Sequence, residues 1–99
     1  MIINRDIDHI AFDIYLWAGE VFPDRTDGAM ALKLYQEIGE MIESDGDPLE
    51  VADVLIMIFD YAKRKGIQLE PAIREKMKIN RQRTWKINET TGTMSHVKN

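Results

Sequence analysis

The sequence predicts an all-α domain of four helices whose packing is completed by further copies of the same chain. Three observations lead there. Apolar residues recur at helical spacing through four stretches, and residues that favour helix ends punctuate them. The third stretch is apolar around nearly its whole circumference, and 99 residues hold too little other material to cover it. The composition, 44% hydrophobic and 30% charged with no cysteine, suits a folded domain that uses neither disulfides nor thiolate metal sites.

The first helix is expected over residues 7–22, where Ile7, Ile10, Ala11, Ile14, Leu16, Trp17 and Val21 follow a possible Asp6 cap. Phe22-Pro23-Asp24-Arg25-Thr26-Asp27-Gly28 is rich in turn formers and reads as a loop. The second helix is expected over 28–43, with Met30, Ala31, Leu34, Tyr35, Ile38, Met41 and Ile42 as its apolar stripe. Ser44-Asp45-Gly46-Asp47 then turns the chain back, with Gly46 suited to the left-handed position that ends many helices. Asp47 is a good N-cap for the third helix, Pro48 a good first residue, and Glu50 can complete a capping box. This helix continues to about residue 65 and stops at Gly66. Between Val51 and Ala62 only Asp53, Asp60 and Tyr61 interrupt its apolar run, which is too long and too well capped for a buried strand. A homodimer is the natural way to cover it. The fourth helix is expected over 70–85, with Pro71 in its first turn, and the polar stretch 88–99 as a loose tail. The single domain is therefore placed at residues 1–87.

Net charge is −4 and the isoelectric point near 5.1, which argues against binding a nucleic acid polymer. The longest apolar run, Val54 to Phe59, is far too short to cross a bilayer, and the N-terminus lacks a signal-peptide layout. A cytoplasmic protein with no membrane partner is expected.

Four carboxylates dominate the functional reading. Glu37 and Glu40 lie in the second helix, Glu50 and Asp53 in the third, and three-residue spacing puts each pair on one helix face. The turn sets their register, so Glu40 should lie level with Glu50, and Glu37 should face Asp53. The glutamates have plainer explanations: a solvated face for Glu37, Glu40 and Glu43, a capping box for Glu50. Asp53 resists one, because it stands in a helix expected to be buried, where an unpaired carboxylate is costly. Oxygen-only ligands favour hard cations such as Mg2+ or Mn2+. Asp60, two turns beyond Asp53, is expected to pair with a basic residue of the fourth helix or to line the same cleft.

That fourth helix carries Lys76, Asn80 and Arg83 at spacings of four and three, a polar stripe suited to polyphosphate, or merely a solvated basic end. Trp17 and Trp85 read as core residues or as surfaces on which a base stacks. His9 and His96 have no metal-ligand spacing and receive no role. Gly39 is expected to permit close helix packing.

Glu37-x-x-Glu40, Glu50-x-x-Asp53 and the lysine- and asparagine-bearing fourth helix together resemble the MazG-like all-α nucleoside triphosphate pyrophosphohydrolases. The segment Lys76-Met77-Lys78-Ile79-Asn80-Arg81-Gln82-Arg83-Thr84-Trp85, with Trp17, Phe22, Ala52 and Asp60, is similar to the dATP/dGTP pyrophosphohydrolase branch, including the phage MazZ type. The resemblance spans Trp17 to Trp85. It implies a hydrolase of nucleotide metabolism that converts dGTP or dATP to the monophosphate and pyrophosphate, assembled as a homodimer or homotetramer. If phage-encoded, it would act in the host cytoplasm. Glu37, Glu40, Glu50 and Asp53 would be catalytic and hold two or three Mg2+ or Mn2+ ions, while Lys76, Asn80, Arg83 and Trp17 would bind substrate. Lys33 stands where members of the branch often carry histidine. Two rivals remain: the same chemistry on dUTP or dCTP, and a non-catalytic helical dimerisation module.

Overall fold

The computed structural model describes residues 6–98. Four helices lead into a small hairpin: α1 (Ile7–Val21), α2 (Asp27–Glu43), α3 (Pro48–Arg64), α4 (Leu69–Gln82), β1 (Trp85–Ile87) and β2 (Met94–His96). α3 is the centre, packed by α1 on one side and α2 on the other, while α4 rests on α1.

Local chemistry explains the helix ends. Asp6 accepts from the His9 N–H at 2.7 Å and starts α1. Thr26 accepts from Ala29 N–H and starts α2 one residue before the expected point. Asp45 and Gly46 both adopt positive φ, 53° and 102°, and that left-handed pair closes the turn between α2 and α3. Asp47 caps α3 by accepting from Leu49 N–H at 2.9 Å. The expected capping box does not form: Asp47 N–H donates to Ser44 Oγ at 3.2 Å, which leaves the Glu50 carboxylate free. Gln68 gives α4 no side-chain cap. The Asp8 carboxylate, reaching across from α1, accepts from Leu69 and Glu70 N–H instead, and from Lys63 Nζ at 2.7 Å.

α4 ends at Gln82, short of the expected residue 85, because Arg83 is already extended, with φ −87° and ψ 150°. The chain then forms a hairpin where a loose tail was expected. Trp85 pairs with His96, Lys86 with Ser95 and Ile87 with Met94. Asn88 Oδ1 accepts from Thr90 and Thr91 N–H, and Gly92 takes φ 73°, so the threonine–glycine stretch is a turn. Trp85 Nε1 donates to the Asn80 carbonyl at 2.8 Å and fixes the hairpin to the end of α4.

Little of the apolar surface is buried within one chain. Among the described residues Ala11, Ala18, Val54 and Ala62 are the buried apolar ones, whereas Leu55, Ile56 and Ile58 of α3 stay partly open. Asp60 is the largest fully buried side chain among the described residues, at 2% exposure. Its partner is not on the fourth helix. Arg25, in the α1–α2 connection, donates Nε and Nη2 to its two oxygens at 2.8 and 2.9 Å, with Arg64 Nε 3.4 Å away. The α1–α2 loop is thereby fastened to the C-terminal half of α3. Among the described residues, no helix is long and apolar enough to cross a membrane.

Candidate active site

The turn between α2 and α3 makes the site. It sets the two helices side by side so that Glu37, Glu40 and Glu50 each offer a carboxylate oxygen within 4.8 Å of the others. Three anions that close repel one another unless a cation joins them. Glu37 is 7% exposed, and its Oε2 has no hydrogen-bond partner; neither has Glu50 Oε2. A buried carboxylate oxygen without a donor is costly. The Glu50 carboxyl is pushed above its ordinary value by burial first, then by Glu40, Asp53, Asp47 and Glu37. An all-oxygen set with unmet acceptors suits a hard divalent ion.

Asp53 stands outside that three-oxygen group. It is also exposed in the single chain, contrary to the expectation of a buried position, because it faces the open cavity between the helices rather than a packed side chain. It still belongs to the neighbourhood: with Glu37 it lines a cavity of about 350 Å3 between α1, α2 and α3. The rest of that cavity is mostly apolar, with Ile14, Trp17, Phe22, Met30 and Met57 in its wall and Asp60 also lining it. Trp17 and Phe22 meet edge to face, with centroids 6.1 Å apart. An apolar slot with an aromatic wall, opening beside an acidic cluster, has the form of a site for a flat ring attached to a charged tail.

The fourth-helix stripe lies elsewhere. The Asp8–Lys63 ion pair puts the start of α1 beside the end of α3, so the acid cluster is at the opposite end of that helix pair. α4 passes Asp6 and Ile7 with Met77 and Arg81, moving away from the cluster. Within one chain Lys76, Asn80 and Arg83 are therefore not brought to the carboxylates. Asn80 Oδ1 is buried without a partner. Lys33, assigned no contact from sequence, lies with its Nζ 3.0 Å from Glu37 Oε1; its position one turn before Glu37 was the available signal.

A profile of the dATP/dGTP pyrophosphohydrolase family matches residues 12–99. The chain belongs to this dATP/dGTP pyrophosphohydrolase family. A dATP/dGTP diphosphohydrolase of cyanophage S-2L is 46% identical over 87 residues, 86% of this chain and 82% of that protein. A second, from Salmonella phage PMBT28, is 44% identical over 82 residues; the match takes in 82% of this chain and 28% of that longer relative. A solved structure of the cyanophage S-2L MazG-like pyrophosphohydrolase, bound to dGDP and three catalytic Mn2+ ions per active site, superposes with a TM-score of 0.83. That pair shares 42% identity, over 95% of this chain and 94% of the other. The matched residues take in those of the C-terminal hairpin as well as the helices.

Proposed function

We propose that this chain hydrolyses dGTP and dATP to the monophosphate and pyrophosphate, using Mn2+ or Mg2+ held by Glu37, Glu40, Glu50 and Asp53. The observation that carries the reading is the convergence of three carboxylates with two unpartnered buried oxygens beside an aromatic-walled cavity. Relatives named for dATP and dGTP, and a structural relative with dGDP and three Mn2+ ions, support the substrate class and the ion count.

Ions bound there would neutralise phosphate charge and lower the pKa of a water that attacks phosphorus. The chain's own residues do the rest. Glu37, Glu40 and Glu50, fixed on two helices joined by one turn, hold their oxygens in place before substrate arrives, which limits reorganisation during the reaction. A carboxylate of this set takes the proton of the attacking water. Trp17 and Phe22 give the base an apolar surface and keep solvent from one side of it. Lys76, Asn80 and Arg83 serve the phosphates from a second copy, because their own helix leads away from the acid cluster. Such a copy would cover the outer face of α3 and close the site as a homodimer or homotetramer.

The test is pyrophosphate release from each of the four common dNTPs, with Mn2+, with Mg2+ and with chelator. Metal-dependent formation of dGMP and dAMP is expected. Turnover of pyrimidine substrates alone would refute the purine assignment and keep the chemistry. A folded protein silent on all four would favour a non-catalytic helical module.

A further inference from the structure

Lys33 stands where the acid cluster meets the cavity. Its Nζ is 3.0 Å from Glu37 Oε1, and the charges of Glu37, Glu40 and Asp53 all act on it. It lines the same cavity as Trp17, Phe22, Glu37 and Asp53, and among the described residues no other lysine or arginine lines it. Arg25 is engaged by Asp60, which also lines the cavity, and Arg64 donates to Asp27 with its Nε 3.4 Å from Asp60. The Lys33 side chain is 53% exposed, so packing does not hold it, and its four-carbon stem leaves the ammonium free to swing.

One Glu37 cannot serve two cations at full strength. A divalent ion drawn to Glu37 and Glu50 repels an ammonium a few ångströms away. The ammonium then has to leave the carboxylates, and the cavity mouth is the space it already borders. A nucleotide with its base in the cavity and its phosphates at the acid cluster would put phosphate oxygens at that mouth.

We propose that Lys33 is a nucleotide-contacting residue held in waiting by Glu37: it competes with the metal for the carboxylates and, once displaced, donates to a substrate phosphate. This rests on the metal-dependent nucleotide reading above. It makes the metal and the nucleotide respond to Lys33 in opposite directions, which a purely structural lysine would not do.

The experiment compares the full chain with Lys33→Met, which keeps side-chain length without charge, and with Lys33→Arg. Mn2+ alone is titrated first, following free Mn2+ by its paramagnetic resonance signal. dGDP binding is then measured at saturating Mn2+ by calorimetry. In Lys33→Met, Mn2+ affinity should rise about two- to fivefold, the range of an exposed ion pair. Affinity for dGDP should fall about tenfold, the scale of a lost charge-assisted hydrogen bond. Lys33→Arg should retain most of the wild-type dGDP affinity. An Mn2+ affinity that does not rise, or a dGDP affinity that does not fall, overturns the proposal. Both falling together would mark Lys33 as structural and overturn it equally. A wild-type chain that takes up no Mn2+ overturns this inference together with the metal-dependent reading beneath it. Normal Mn2+ uptake with no response to Lys33→Met overturns this inference alone.

Discussion

Glu50 carries the clearest residue-scale signature, a carboxylate oxygen buried beside other acids with no donor. Burial and its acidic neighbours raise its pKa above the ordinary 4.5, so the folded chain holds a proton there more tightly than the unfolded chain does. Stability without metal is thus greatest below that ordinary value and declines as pH rises through the raised one. At neutral pH, Glu50→Gln should raise the melting temperature in chelator and abolish the rise that Mn2+ gives the wild-type protein. Equal Mn2+ shifts in the two proteins would remove Glu50 from the metal site. Asp53→Ala should fold normally, since the side chain is exposed in the single chain, and lose activity by a factor on the order of 10². Full activity in that variant would exclude Asp53 from the chemistry. These acids are legible in sequence because Glu37 to Asp53 lie on two neighbouring helices, where spacing alone fixes the faces. Lys33 follows the same rule, four residues before Glu37, yet among apolar neighbours its spacing stands out less than that of the glutamates.

Helix ends, at the scale of elements, were readable for the same reason: a cap such as Asp47 bonds a residue two positions away. The exceptions are long-range. Asp8 caps α4 from 61 and 62 residues distant, and Asp60 meets Arg25 across 35, with no local pattern linking either pair. The hairpin escaped because three-residue strands are too short to display alternation. Each long-range contact makes its own forecast. The Lys63 ammonium first, then the Glu70 and Leu69 N–H groups, hold the Asp8 pKa down at about 2. Asp8 therefore supports the fold above its ordinary value of 3.8, and that support is lost as pH falls through about 2. Acid titration of helicity should show this loss in the wild-type chain, and Asp8→Asn should show less of it. Arg25→Met leaves Asp60 buried with only Arg64 nearby, and should cost about 3 kcal/mol in urea denaturation at fixed protein concentration. Adding Asp60→Leu should recover much of that loss, because the uncompensated charge goes too. No recovery would mean that the pair holds the loop by geometry rather than by charge.

The whole molecule exposes more surface than a chain of its size should. Its accessible area is 7995 Å2, against about 5,800 Å2 for a compact monomer of this mass. Its radius of gyration is 16.5 Å, where about 13 Å is usual. The excess, roughly 2,200 Å2, is what one partner of an obligate assembly covers. On α2, Leu32, Tyr35 and Ile42 are 74%, 75% and 69% exposed and recur at helical spacing opposite the face that meets α3. Gly39 lies in that stripe, and a Cβ there would touch nothing within 4 Å, so the close helix packing expected at this glycine does not occur within the single chain. Sedimentation should therefore find a dimer or tetramer at micromolar concentration, and Tyr35→Glu should shift it to smaller species; a wild-type monomer would refute this. The expectation of a partner rests in sequence on the all-apolar α3, which carries nothing about its geometry, since periodicity describes one helix and says nothing of which copy would lie against it. The turn at Asp45 and Gly46 has a consequence in time. Because it joins the two acid-bearing helices directly, those helices can find each other by a short loop closure at a rate independent of concentration. Association of copies is second order. In a dilute refolding chain the carboxylate cluster would thus come together before the surface around it is covered, and divalent ions would meet it while it is still open.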